Sequence, residues 1–190
     1  MWVAGRIVVL TGPGPLAALV DSAFLPLVAL SLWFPLKRSH NRNLFFVGLL
    51  LLFALANVLF HLSQLGMVAL PPLVTARAAL FLVVVIVSVM SGRVTPAFTQ
   101  NAIRDARIRR VRHLDAAAIA TLALTLAVQL LGAPAWLLGP LALVAAVLNA
   151  IRLAFWDPLS TLRSPIVWIL HLSYAWIPVG LLLLALSTLD

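Results

Sequence analysis

The sequence predicts an all-α, polytopic membrane protein with about six transmembrane helices, forming a single domain over residues 1–190. Three observations predict it. Hydrophobic side chains make up 64% of the 190 residues and charged ones 9%, far from the balance of a soluble globular chain. The apolar residues gather in six stretches, and a helix needs roughly 20 such residues to cross a hydrocarbon core about 30 Å thick. Nearly all the basic residues fall in alternate gaps between the stretches, the asymmetry that orients membrane helices.

The elements follow in order. Met1–Leu10 is apolar but short, contains Arg6 and runs into Thr11-Gly12-Pro13-Gly14, so it reads as neither a crossing nor a cleavable signal sequence. The opening WVAGR reads instead as the tail of a preceding helix. Crossings are expected at about 15–35, 44–63, 73–91, 116–132, 136–155 and 166–186, the fourth being the shortest. Pro15 opens the first and Pro71 with Pro72 the third; Gly132 and Pro134 part the fourth from the fifth; Pro158 and Pro165 bracket the gap before the sixth. Proline is tolerated at a helix start because its missing N–H would have had no partner there. Pro26 and Pro178 fall inside crossings and are expected to kink them. The one substantial connection is a basic cytoplasmic loop over 92–114. Within it Arg104, Asp105, Arg107 and Arg109 are spaced as on a helix, which predicts a short basic surface helix over Asn101–His113.

Eleven of the 13 Lys and Arg residues lie in the three gaps that share one side of a six-crossing chain. These are Lys37, Arg38 and Arg42; then Arg93, Arg104, Arg107, Arg109, Arg110 and Arg112; then Arg152 and Arg163. The opposite gaps hold none, and only Arg6 and Arg77 stand outside the pattern. Short loops rich in Lys and Arg stay cytoplasmic, so both termini are expected on the periplasmic side. The net charge of +8 is therefore a topological and lipid-facing charge: it sits beside apolar crossings, where it meets anionic headgroups rather than nucleic acid. The chain has no cysteine, which excludes disulfides, thiolate metal sites and iron–sulfur ligation. It has no glutamate either, no paired carboxylates on one helix, and no HExxH, GxSxG or P-loop pattern. Hydrolase and phosphotransferase chemistry find no residues here, and no catalytic residue is assigned.

Ionisable groups at membrane depth call for a partner or a role. Counting about 1.5 Å of rise per residue from the nearest helix end puts Asp21, His61 and Arg77 at one outer level, with Asn57 one turn deeper than His61. Two readings of this polar cluster stay open: an Asp21–Arg77 ion pair that holds helices together, or a pocket for a ligand or cofactor. A second group lies nearer the cytoplasmic face. Trp168, His171 and Tyr174 share a stripe on the last crossing, and Asn149 and Arg152 approach the same level from the fifth. A neutral histidine can ligate haem iron or copper while its other nitrogen is held by a hydrogen bond; a core histidine satisfied by a neighbour is the plainer alternative. His61 and His171 are several turns apart in depth, so the two do not share one metal.

The segment GRVTPAFTQN at Gly92–Asn101 resembles the GR-x-x-PAFT-x-N signature of the NnrS family. LVDSAFLPLVAL at Leu19–Leu30, ALANVLFHL at Ala54–Leu62 and WILHLSYAWIPVGLLLL at Trp168–Leu184 resemble further family helices in the same order, and the opening WVAGR is similar as well. The resemblance spans essentially the whole chain. It implies a bacterial inner-membrane protein of the nitric-oxide response and denitrification, containing haem and copper. It also implies His61 and His171 as metal-ligand positions, with Arg93, Asn101 and Tyr174 as further cofactor-binding positions; an arginine such as Arg93 at the membrane edge suits haem propionates. Family members have about twice as many crossings and further histidine-bearing helices, so the resemblance implies a half-length or split member that draws on another membrane chain or a second copy. Protection against nitrosative stress is the leading expectation. A small permease lined by Asp21, His61 and Arg77, with kinks at Pro26 and Pro178, is the alternative, and a non-catalytic membrane subunit is a third.

Overall fold

The computed structural model describes residues 2–12, 14–38 and 44–189. Pro13 and Arg42, used above as a turn and a loop charge, lie outside them. Among the described residues seven α-helices follow one another: α1 Trp2–Thr11, α2 Gly14–Arg38, α3 Phe45–Gln64, α4 Pro72–Ala102, α5 Arg112–Leu130, α6 Ala135–Ala154 and α7 Pro165–Leu186. A single 3-10 turn, Pro158–Thr161, stands between the last two. Six of the helices, α2 to α7, are long and apolar enough to cross a membrane. Their outward faces carry large aliphatic side chains, Leu80 and Leu183 among them, that are 64% and 60% exposed. Such faces are stable only against hydrocarbon. The predicted polytopic all-α architecture is the one observed.

The single domain expected from the sequence divides into two compact units, Met1–Leu82 and Val83–Asp190. In the first, α2 packs against both α1 and α3. In the second, α6 packs against both α5 and α7. The α6 contact face is built from small residues: Ala142 and Ala145 have no exposed surface, and Ala118 of α5 has none either. Helices in lipid gain little from excluding water, so close approach over alanines is what holds them. The buried stripe of α7, Val167, His171, Tyr174, Pro178, Leu181 and Ala185, recurs at spacings of three and four, one face of a helix.

Chain reversals follow from backbone chemistry. Gly66 and Gly132 both have φ of +70°, the left-handed conformation that L side chains avoid. Each ends its helix in the same pattern. Gly132 N–H donates to the Gln129 carbonyl and Ala133 N–H to the Val128 carbonyl, both at 3.1 Å, which satisfies carbonyls left over at the helix end.

The main departure from expectation is at 92–114. Helix α4 does not stop near Ser91 but continues about three turns, through Pro96, to Ala102. The GRVTPAFTQN segment is therefore helix, not loop. Polar side chains ended the hydropathy signal there without ending the helix, because Thr95 and Thr99 are buried against the second unit. The surface helix expected over 101–113 is absent, and α5 begins at Arg112. Residues 103–111 are not helical because their backbone is claimed elsewhere: Arg109 N–H donates to the Phe155 carbonyl at 2.9 Å, and Arg107 N–H to Asp157 Oδ2 at 2.9 Å.

Candidate functional site

In the first unit a carboxylate is the centre. Asp21, on α2, is 8% exposed and takes three partners from two helices. Arg6 Nη2 of α1 donates to its Oδ1. From α3, Asn57 Nδ2 donates to Oδ2 at 3.3 Å, and His61 Nε2 stands 3.0 Å from the same oxygen. Asn57 and His61 are four residues apart, hence on one face of α3. A carboxylate paired with a guanidinium only accepts, so His61 Nε2 carries a proton, and in the neutral imidazole the lone pair is then on Nδ1. Gly5 lets α1 come this close, since a Cβ there would lie 3.0 Å from Asp21 Oδ1.

Arg77 is not the partner of Asp21. It lies exposed on α4, and Arg6 takes the place that depth counting had given it. That counting ranks residues by level but not by the direction each helix face points, and α1 was set aside as too short to matter.

In the second unit a cation is the centre. Arg152, counted above among loop charges, is 2% exposed in the last turn of α6. Its Nε donates to Asp115 Oδ1 of α5 at 2.7 Å. Its Nη1 donates to the Ser88 hydroxyl of α4 at 3.0 Å and to the Tyr174 hydroxyl of α7 at 2.9 Å. The Tyr174 hydroxyl in turn donates to Asn149 Oδ1 at 2.6 Å, and Asn149 Nδ2 donates to the Ala145 carbonyl at 2.8 Å. The guanidinium carbon also lies 5.1 Å from the centre of the Trp156 ring, within cation–π range. One buried charge thus ties four helices. Gly92, the first residue of the signature segment, makes room for it: a Cβ at that position would collide with the Arg152 guanidinium.

His171 joins this unit one turn before Tyr174 and is 3% exposed. Its Nδ1 is 3.1 Å from the Val167 carbonyl, and its Nε2 is 3.2 Å from the Trp156 carbonyl and 3.5 Å from the Thr99 hydroxyl. Both ring nitrogens therefore face oxygen. Arg93 and Asn101 are exposed on α4, on the helix face opposite Ser88, Thr95 and Thr99. Trp168 is half-buried. Sequence reasoning put Asp21, His61 and Arg77 at one level with Asn57 one turn deeper, and Asn149, Arg152, His171 and Tyr174 at another. It missed Arg6, Ser88 and Asp115. Arg6 had a signal, being one of two cations outside the charge pattern; Ser88 had none.

Among the described residues, no three His, Cys, Asp or Glu side chains converge as a metal-ligand set. What the geometry offers is the His61 imidazole, held by a carboxylate through Nε2, with Nδ1 as the nitrogen that could meet a ligand. The fold and this site define a polytopic helical membrane protein whose polar groups sit as two charge-centred clusters between its helices. The chain matches the family model described as NnrS protein over residues 1–190, its full length, and so belongs to the NnrS family. No curated protein and no solved structure matches it.

Proposed function

We propose that this NnrS-family protein serves the response to nitric oxide by holding a metal centre, haem or copper, through His61. One observation carries the reading: the 3.0 Å contact of His61 Nε2 with Asp21. An imidazole that gives its proton to a carboxylate has a fixed ring, a fixed tautomer and a more basic second nitrogen, the usual condition of a metal-bound histidine. Arg6 balances the charge of Asp21, and Asn57 holds its second oxygen, so the carboxylate is aimed at the imidazole. The donor set fits a haem, which asks one axial imidazole of a chain. Copper asks for more than one soft or imidazole ligand, which a second copy or another membrane chain would supply. A bound haem iron would supply a coordination position for nitric oxide. His171 is the weaker ligand candidate, because each of its nitrogens already faces a carbonyl. Tyr174 is engaged on both sides, while Arg93 and Asn101 would meet only a group docked on the outer face of α4.

On this reading the protein lies in the bacterial inner membrane, with both termini periplasmic and the 103–111 connection cytoplasmic. Full-length protein purified in detergent from haem-replete cells should show a Soret band. That band should vanish in His61→Ala, weaken and shift in Asp21→Asn, and survive in His171→Ala. A colourless preparation free of iron and copper would sink the proposal. Reporter fusions placing residues 104–112 outside the cell would overturn the orientation.

A further inference from the structure

The connection between α4 and α5 and the corner between α6 and α7 meet at one end of the second unit. Two hydrogen bonds donated by backbone N–H groups, Arg109 to the Phe155 carbonyl and Arg107 to the Asp157 carboxylate, hold the connection as a fixed strap. Along it Ile103, Ala106 and Ile108 are half-buried while Arg104, Arg107 and Arg109 are exposed. Arg110 and Arg112 continue the exposed row.

The acids near this row are fewer than its cations. Asp115 is paired with the buried Arg152. Asp105 and Asp157 keep their charge, Asp157 while accepting from the Arg107 N–H. Five exposed guanidinium groups, Arg104, Arg107, Arg109, Arg110 and Arg112, face these two carboxylates, so the strap is net positive. It joins two membrane-length helices directly, so the row is held at headgroup level.

An apolar groove starts from the same corner. It runs between α6 and α7, from Ala154 and Pro158 at the corner to Leu143 and Leu182, with a volume of about 410 Å³. Small residues, Ala146, Ala150 and Ala175, keep it open. Next along the chain from Pro158, Leu159 and Leu162 are 77% and 65% exposed, which suits the boundary of headgroups and acyl chains and not water.

We propose that the second unit binds an anionic phospholipid, with its phosphate at Arg107 and Arg109 and one acyl chain along the α6–α7 groove. Charge and apolar groove share the 153–158 corner, and an anionic phospholipid is the partner that carries both chemistries. A soluble phosphate, an oligonucleotide or an acidic peptide would satisfy the arginines and leave the groove unfilled.

Native mass spectrometry of the full-length protein in detergent tests this, with equal amounts of phosphatidylglycerol and phosphatidylcholine of the same chains. The expected result is selective retention of phosphatidylglycerol. Arg107→Gln with Arg109→Gln should lower that retention about 30-fold, each surface charge contributing about fivefold. Ala150→Phe, which fills the groove and leaves every arginine in place, should lower it as well. Arg77→Gln, in the other unit, should leave it unchanged. Equal retention of the two lipids, or full retention in the double arginine variant, would overturn the headgroup site. Full retention in Ala150→Phe, or complete displacement by glycerol 3-phosphate, would overturn the acyl seat. None of these variants touches His61, so the Soret band should be the same in all of them.

Discussion

The two units solve one problem with opposite charges. Each buries a single ionised group between helices; the first centres on an anion, Asp21, and the second on a cation, Arg152. The difference lies in how far the partners are shut in. Around Asp21 the side chain of Arg6 is 51% exposed and that of His61 13%, so the cluster opens at its edge. Around Arg152 the side chain itself is 3% exposed, and Tyr174, Asn149 and Ser88 are each 1% exposed or less, while Asp115, its side chain 34% exposed, reaches the edge. A cluster whose centre is shut in and whose groups are all engaged builds structure; one whose imidazole has a second nitrogen to offer can bind. That contrast is why the proposed ligand site is placed in the first unit and the clamp in the second.

Substitutions can break the comparison. The largest effect should come from Arg152→Met, which strips Asp115, Ser88 and Tyr174 of their shared partner. Removing one member of a buried pair costs about 3–5 kcal/mol. Because the Asp115 side chain is 34% exposed and can turn to water, about 3 kcal/mol is expected, read from thermal or SDS unfolding. Gly92→Ala should cost about 2 kcal/mol through overpacking against the guanidinium. In the Arg152→Met background that penalty should nearly disappear, the coupling expected of touching residues. Asp21→Asn should cost about 1 kcal/mol, since its hydrogen-bond partners reach water, while abolishing the fixed tautomer of His61. Should Asp21→Asn unfold the protein more than Arg152→Met does, the roles of the two clusters are reversed. Arg77→Gln should fall within about 0.5 kcal/mol of the parent, as an exposed substitution away from both clusters.

Much of the architecture was legible because hydropathy and helix length are local properties: six apolar runs become six long helices. The ends were less legible where polarity and helicity part company. GRVTPAFTQN is too polar to look like a crossing, yet α4 runs through it because Gly92, Thr95 and Thr99 face partners in the second unit. The strap at 103–111 has helical charge spacing, but its N–H groups bond to a corner some fifty residues away in sequence, a contact no local pattern carries. The sites were half legible for a related reason. Depth along a helix can be counted from sequence, and it grouped Asp21 with His61 and Arg152 with Tyr174. The direction of a face cannot be counted when a ten-residue helix such as α1 supplies the counter-ion, and Arg6 was passed over for Arg77.

The placement of Asp115 has a bearing on how the chain is made. It stands in the first turn of α5, and its guanidinium partner in the last turn of α6, so the two meet only when these helices lie antiparallel across the tight Gly132 reversal. Threaded alone, α6 would carry Arg152 in its last turn without its carboxylate, a cost below the roughly 3 kcal/mol of an arginine at a helix centre. Threaded as a hairpin, the pair enters neutral. Biosynthesis should therefore release α5 from the insertion channel only after α6 has emerged from the ribosome, and crosslinking of arrested chains should find α5 waiting at the channel until then.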